Sequence, residues 1–301
     1  MKAIQFDQFG GTDVLREVDV EVPHPGPGQV RVRVRAAGVN ALDGKIRSGA
    51  LLAVFPTALP VIPGFEVSGT VDAVGVGVTD VSVGDEVVGW SDTGAYAQYA
   101  LATIVAPKPA ELDWERAASL PVAGEAAERV LKLLGVEPGE TLLVHGAAGA
   151  VGTIVVQLAA ARGVHVIGTA GPGNQDYVAS LGADATLYGG GLVERVRALA
   201  PDGVDAVLDV AGKGALEDSI TLRGGTDRIV TLADFGAHQL GITFANGATE
   251  RSAKRLAALA QDAAIGKLVT TVNAYPLTQA ATAQQVSDTG HIRGKLVLTL
   301  A

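Results

Sequence analysis

Ala147, Gly149 and Gly152 fall on the three small-residue positions of a dinucleotide-phosphate turn, with alanine in place of the first glycine. They lie in Thr141-Leu-Leu-Val-His-Gly-Ala-Ala-Gly-Ala-Val-Gly152, where an apolar run leads straight into Gly146, Ala147, Ala148, Gly149, Ala150, Val151 and Gly152. The chemistry explains the sizes. A side chain at Gly149 would hold the backbone away from a pyrophosphate, and one at Gly152 would push the following helix off its strand. The helix N-terminus would then offer unpaired N–H groups to the anion. A glycine-rich turn that holds no nucleotide is the alternative reading of this stretch alone.

The turn needs a strand before it, a helix after it and a second strand beyond. Thr141–His145 has the continuous apolar character of a buried parallel strand, Val151–Ala161 reads as an apolar helix, and Val164–Thr169 as the next strand. With 301 residues there is room for two domains. Hydrophobic residues make up 48% and aromatic ones only 4%, which suits Val-rich strands and Ala-rich helices. A net charge of −9 without a basic cluster argues against a nucleic-acid or anionic-membrane surface. The absence of cysteine excludes disulfides, cysteine nucleophiles and thiolate metal sites, and suits a reducing cytoplasm. No stretch reads as a secretory signal or as membrane-spanning.

Residues 1–110 read as short strands punctuated by Gly and Pro, the pattern of a partly open β-barrel. The strand Gln29–Arg35 alternates, with valines on one face and arginines on the other. From about residue 123, strands near 141–145, 164–169, 185–187, 204–209, 227–232 and 241–244 alternate with helices near 151–161, 174–181, 191–199, 213–219 and 249–265. That alternation predicts an α/β fold with a doubly wound parallel sheet. Asp113 is placed to cap a short helix over 112–119, and Gly135 to stop a longer one over 123–134.

Ordered blocks along nearly the whole chain then carry a resemblance. They are Ala37-Gly-Val-Asn-Ala-Leu-Asp43, Pro63-Gly-Phe-Glu-Val-Ser-Gly-Thr-Val71, Val83-Gly-Asp-Glu-Val-Val-Gly89, Gly94-Ala-Tyr-Ala-Gln-Tyr99, Leu120-Pro-Val-Ala-Gly124, Val144–Gly152, Ser180-Leu-Gly-Ala-Asp184 and His291-Ile-Arg-Gly-Lys-Leu-Val-Leu298. The sequence resembles the zinc-free quinone oxidoreductases, the zeta-crystallin-like branch of the medium-chain dehydrogenase/reductase superfamily. The resemblance implies a Rossmann domain (123–266) inserted in a GroES-like, partly open β-barrel domain (1–122 and 267–301), with the active site between them. It also implies a homodimer, joined along the Gly241–Phe244 edge strand. Zinc-dependent relatives carry Cys near Asn40 and His near Phe65, so the departures at these positions imply that neither family metal site is built. Ala126 and Lys45 replace a Thr and a Tyr frequent in the branch.

The resemblance turns attention to a nicotinamide cofactor. The second strand of the fold ends Gly168-Thr-Ala-Gly-Pro-Gly-Asn174, with no carboxylate to meet a ribose 2′-OH and repel a 2′-phosphate. NADPH is therefore expected, with NADH as the alternative. Thr169, Ala170 and Tyr188 would lie about the phosphate, Ala126 in the cofactor pocket, and backbone groups of Ala211, Leu232 and Ala233 at the carboxamide. Asn40 would reach the nicotinamide ribose or the substrate, or else simply stabilise a turn. Asp43, Lys45, Phe65 and Trp90 would line the substrate pocket, Asp43 either in a relay with Lys45 or as a structural turn residue.

The expected reaction is hydride transfer from NADPH to a small electrophile, a quinone or a double bond conjugated to a carbonyl. Alternatives are an imine or enoyl-thioester reductase, in which Lys45 and Arg47 would meet an anionic acceptor or else form a solvated face, and an NADPH-binding, crystallin-like protein with little turnover. The five histidines show no metal-ligand spacing, and His145 and His165 sit within strands as structural groups.

Overall fold

The computed structural model describes residues 1–245, 247 and 251–300. By contacts the chain forms two compact units, Met1–Val122 with Arg251–Ala301, and Ala123–Glu250.

In the first unit the elements are β1 (Lys2–Gln5), β2 (Arg16–Asp19), β3 (Val30–Val39), α1 (Ala41–Arg47), β4 (Glu66–Val74), β5 (Glu86–Trp90), β6 (Tyr99–Ala102), β7 (Ile104–Pro107) and α2 (Trp114–Ala118). Helix α3 (Pro121–Leu134) crosses into the second unit. There the elements are β8 (Thr141–His145), α4 (Ala150–Ala160), β9 (His165–Ala170), α5 (Gln175–Ser180), β10 (Asp184–Leu187), α6 (Leu192–Leu199), β11 (Ala206–Asp209), α7 (Leu216–Arg223), β12 (Ile229–Thr231) and β13 (Thr243–Phe244). The chain returns to the first unit with α8 (Ala253–Ala264), β14 (Val272–Pro276), α9 (Ala280–Thr289) and β15 (Lys295–Thr299).

The second unit is a six-stranded parallel sheet in the order β10-β9-β8-β11-β12-β13. The order reverses direction between β8 and β11, the point at which such sheets leave a crevice at their carboxyl ends. β11 and β12 are buried throughout, as strands covered by helices on both faces must be. The first unit carries a seven-stranded sheet that is mixed, with β3 at its centre. β3 does two jobs along its length. Its first half, Val30–Arg33, pairs with β6, and its second half, Ala36–Val39, pairs with β15. The valines of its alternating stretch, Val30, Val32 and Val34, are buried in the core, while Arg31 forms an ion pair with Asp72 on the other face.

The structure departs from the sequence reading in four places. β2 and α1 were not anticipated. α1 has only seven residues and a glycine inside it, too little local signal to stand alone. β3 runs on to Val39 because its second half has a partner far along the chain, in β15. The helix expected at 213–219 lies at Leu216–Arg223. The helix expected over 249–265 begins, within the described residues, at Ala253 and belongs by contacts to the first unit, so the return falls at Arg251 rather than 267.

In the second unit one side chain closes the end of α3. Arg228, whose φ of 53° is a left-handed value unusual for a side chain of this size, donates from Nε to Leu134 O (3.0 Å) and from Nη2 to Gly135 O (3.1 Å). These are carbonyls that a helix end leaves unmet. Both Nη atoms also bind the Glu140 carboxylate, at 2.8 and 2.6 Å. Arg228, first among the causes, holds that carboxyl down from 4.5 to about 2. Because the folded value is the lower, the pair stabilises the fold above about pH 4.5, and its contribution fades as the pH falls toward 2. Urea unfolding of Glu140→Gln should therefore show a deficit that is constant above pH 5 and narrows steadily toward roughly pH 3.

Candidate functional site

In the second unit, Gly146 leaves β8 with a φ of +80°, and a Cβ there would meet Val210 Cγ2 at 3.1 Å. The turn is fastened by Ala147 N to Thr169 O (3.1 Å) and Gly149 N to Gly146 O (3.0 Å). Helix α4 then starts at Ala150 with Gly149 as its cap residue, and no side chain caps it. The first-turn N–H groups of Ala150, Val151 and Gly152 have no carbonyl one turn earlier to bond.

The two later glycines differ. A Cβ on Gly152 would strike Gly146 O and approach Ala147 Cα to 2.8 Å, so the fold itself needs that glycine. A Cβ on Gly149 would meet only Gly146 O, at 3.4 Å, and the backbone there (φ −76°, ψ 174°) suits any residue. Nothing in the protein requires Gly149 to be bare. An uncapped helix start behind a bare turn fits a phosphate group.

Around this turn the expected residues fall as follows. Ala147 and Ala170 are buried, and Ala126 is buried on α3. Thr169 does not present its hydroxyl as expected. It is 1% exposed, and Oγ1 lies 3.3 Å from His145 Nδ1 inside the sheet, because alternation along β9 turns this side chain inward. His145 is held between Thr169 and Ser219 Oγ (3.0 Å), and burial lowers its pKa. Tyr188 is exposed, with its hydroxyl 3.6 Å from where a Gly171 Cβ would stand, just past the end of β9. At the carboxyl ends of β11 and β12, the donors are already used. Asp209 Oδ1 accepts from Ala211 N (2.9 Å) and Gly212 N (3.0 Å), Asp209 O accepts from Leu232 N (2.9 Å), and Thr231 Oγ1 accepts from Ala233 N (3.1 Å). The N–H groups of Ala211, Leu232 and Ala233 are thus occupied, which confines these backbones to the role of acceptors. Asp234 caps the following turn by accepting from Gly236 N.

In the first unit, a buried polar cluster lies where β3 passes into α1. Asn40 precedes the helix. Its Nδ2 donates to Glu66 Oε1 (2.9 Å), and its Oδ1 accepts from Lys295 Nζ (2.6 Å). Lys295 and Glu66 form an ion pair at 2.5 Å, with side chains 4% and 0% exposed. Glu66 Oε2 accepts from Val122 N (2.7 Å) in the first turn of α3. Both functional ends of Asn40 are therefore engaged, although an amide nitrogen carries a second hydrogen.

Next to this cluster, Asp43 Oδ2 accepts from Asn40 N (2.9 Å) and from Tyr96 Oη (2.8 Å). Burial pushes the Asp43 carboxyl up to about 6, against those two donors and the positive Lys295. Burial, and then the neighbouring Asp43, push the Tyr96 phenol well above its ordinary value. Tyr96 is fully buried, and its ring fits because residue 64 is glycine. A Cβ there would come within 2.6 Å of Tyr96 Cδ1, at a φ of +98°.

Asp43 and Phe65 line one cavity of about 140 Å³, while Lys45 and Trp90 are not among its walls. Trp90 is buried at the end of β5, with the Arg251 guanidinium 5.8 Å above its ring. Arg47 is neither on a solvated face nor available to an anion. It is 3% exposed and donates to Gln284 Oε1 (2.8 Å), Asp288 Oδ2 (2.9 Å) and Gly10 O (3.3 Å), because α1 packs against α9.

Sequence reasoning missed Glu66, Tyr96, Lys295 and Gln284. Lys295 did carry a signal, as a charge at the head of an otherwise apolar strand. Among the described residues, no three His, Asp or Glu side chains are grouped to hold a metal.

Two family models match the chain: the alcohol dehydrogenase GroES-like domain over residues 26–110, and the zinc-binding dehydrogenase over 150–253. The zinc named in the second does not fit the cluster at Asn40, where Lys295 places an ammonium and no cysteine is present. A quinone oxidoreductase from Lama guanicoe is 32% identical over 324 residues, covering 100% of this chain and 98% of that one. The chloroplastic NADPH-dependent alkenal/one oxidoreductase of Arabidopsis thaliana is 32% identical, over 99% of this chain and 79% of its own. The structure of Escherichia coli quinone oxidoreductase complexed with NADPH superimposes with a TM-score of 0.87 at 27% identity, covering 100% of both chains.

Two outcomes test the polar cluster. A Cβ at position 38 would lie 2.6 Å from Glu66 Cγ and Cδ, and Glu66 is pinned by three partners. Gly38→Ala should therefore lower unfolding stability by about 2 kcal/mol or more in chemical denaturation. Asp43 binds its proton more tightly folded than unfolded, so it makes stability fall as pH rises from 3.8 to about 6, with no further change above. Denaturation of Asp43→Asn across that range should lack this slope.

Proposed function

We propose, for a chain that belongs to the zinc-free quinone oxidoreductase branch of the medium-chain dehydrogenase/reductase superfamily, that it is an NADPH-dependent reductase of quinones or of double bonds conjugated to a carbonyl. The observation that carries this reading is the turn Gly146–Gly152, bare at Gly149 and uncapped at the start of α4.

When bound, a reduced nicotinamide supplies a hydride. The protein's part is to hold and orient. Gly146, Ala147, Ala148, Gly149, Ala150, Val151 and Gly152 would receive the pyrophosphate through backbone N–H groups. Ala170 and Tyr188 would frame the adenosine ribose, where the lack of a carboxylate after β9 and the nearness of Tyr188 Oη to Gly171 favour a 2′-phosphate. The carbonyls of Ala211, Leu232 and Ala233 would accept from the carboxamide, and Ala126 would border the cofactor.

On the acceptor side, Asn40 has one amide hydrogen beyond the one given to Glu66, and its orientation is fixed by Glu66 and Lys295. That hydrogen would polarise a carbonyl oxygen or hold the ribose. Asp43 and Phe65 would contact the small electrophile. Lys45 at the end of α1 and Trp90 under Arg251 would border it from outside the cavity. We assign the protein to the cytoplasm, from its lack of cysteine, and to a homodimer formed along β13, which pairs with β12 and closes one edge of its sheet.

The two glycines of the turn give a sharp test. Gly149→Val should leave the apo-protein within about 1 kcal/mol of wild type in thermal unfolding. The same change should weaken NADPH binding at least about tenfold by calorimetry. Gly152→Ala should instead cost the apo-protein about 1–3 kcal/mol. Wild-type protein given NADPH should consume it with at least one of a panel of quinones and enones, followed by the near-ultraviolet absorbance of the reduced cofactor. A chain that neither binds NADPH nor turns over any of them is not this enzyme.

A further inference from the structure

Tyr188, which would frame the adenosine ribose, stands on a segment with little of its own to hold it. It follows β10, the edge strand of the six-stranded sheet, which has β9 as its only strand neighbour. Three glycines come next, Gly189, Gly190 and Gly191, with φ of +84° at the first and +75° at the last. A Cβ on Gly189 or Gly190 would meet nothing within 4 Å, so close packing does not confine this backbone. Ordering a run of glycines costs more conformational freedom than ordering any other residues. An exposed phenol on such a tether would have no fixed direction.

One side chain ties the segment down. Arg195 donates from Nη2 to Leu187 O (2.9 Å) and Gly189 O (3.2 Å), with Tyr188 O at 3.5 Å, and from Nη1 to Gly190 O (2.8 Å). Four consecutive carbonyls thus converge on one guanidinium. Arg195 rides on α6, whose Leu192 and Val196 are buried in the core of the unit, so the tie is anchored. Helix stability does not explain the residue, because it stands four residues into α6, near the end where the macrodipole disfavours a positive charge. Gln175 holds the facing wall. Its Nε2 lies 2.8 Å from Ala170 O and 3.2 Å from both Gly171 O and Thr186 O, which joins the end of β9 to β10. Tyr188 Oη is thereby set 3.6 Å from where a Gly171 Cβ would stand.

We infer that Arg195 is a positioning residue for cofactor choice. By gathering the carbonyls of residues 187–190 it holds the Tyr188 hydroxyl where it donates to a 2′-phosphate, so that NADPH is selected over NADH although the turn 171–174 carries no lysine or arginine. The inference rests on the reading above for the phosphate beside Tyr188; the tie itself is a property of the apo-protein.

Arg195→Met keeps the unbranched stem and the helix propensity and removes the donors. Backbone 15N relaxation of apo-protein, and calorimetry with NADPH and NADH, are compared across wild type, Arg195→Met, Arg195→Lys, Tyr188→Phe and the Met/Phe double variant. Wild type should hold Gly189 and Gly190 at order parameters near about 0.85, and Arg195→Met should drop them below about 0.6. The same variant should weaken NADPH binding at least about fivefold and leave NADH within about twofold. Arg195→Lys, a point charge with three donors, should recover part of the NADPH affinity, and it carries the same comparison if Arg195→Met fails to fold. Tyr188→Phe should lose about as much NADPH affinity as the double variant, because the arginine acts through the tyrosine. Equal weakening of NADPH and NADH would make Arg195 a brace of the whole unit and overturn the inference. Unchanged order parameters, or full additivity in the double variant, would overturn it as well. The two claims separate cleanly. A wild type that binds both nucleotides alike overturns the 2′-phosphate reading and the role with it, whereas an NADPH preference that survives Arg195→Met overturns the role alone.

Discussion

The charge on Glu66 cannot stay buried unless three separate parts of the chain come to it. Its side chain is fully enclosed, and an ionised carboxylate in such a place is tolerable only when paired and hydrogen-bonded. Lys295 comes from β15, Asn40 from the end of β3, and Val122 N from the first turn of α3. Removing one partner of such a pair typically costs about 3–5 kcal/mol, because the other charge is left stranded. The cluster thus ties the return of the chain to its beginning. It operates through β15, whose pairing with β3 sets Leu296 opposite Val39 and so brings Lys295 to Asn40.

A second polar layer rests on the first. Asn40 passes from Glu66 to Asp43 through its own backbone N–H, and Asp43 passes on to Tyr96. Arg47, one turn along α1 from Asp43, locks that helix to α9 through Gln284 and Asp288. α1 is too short to hold itself, and these contacts supply what propensity does not. The buried polar groups of α1 therefore hold the helix in place, and they set Asp43 at the wall of the cavity.

How legible these features were depended on how local their causes are. The strand, turn and helix at 141–160 could be read because each residue's role is set by neighbours within a few positions: apolar residues for burial on both faces, small ones where Gly146 O and Ala147 crowd Gly152. Asp113 was readable as a cap for the same reason, and accepts from Arg116 N. Arg47 was misread as a surface charge because its partners lie on α9, near the other end of the chain. Thr169 was placed within its strand, which ends one residue later at Ala170, yet its side-chain direction depended on His145 from a neighbouring strand. Glu66 looks like an ordinary surface residue, and the charge of Lys295 at the head of an apolar strand has no visible partner, until β15 is laid beside β3.

Asp209 has a mechanical consequence. With one oxygen it gathers the N–H groups of Ala211 and Gly212, with the other it takes the hydroxyl of Thr231, and its main-chain carbonyl receives Leu232. Thr231 in turn gathers Ala233 and Asp234. The segments that follow β11 and β12 are consequently riveted into one stiff shelf: neither tilts without the other, and a molecule resting on one edge is felt along both.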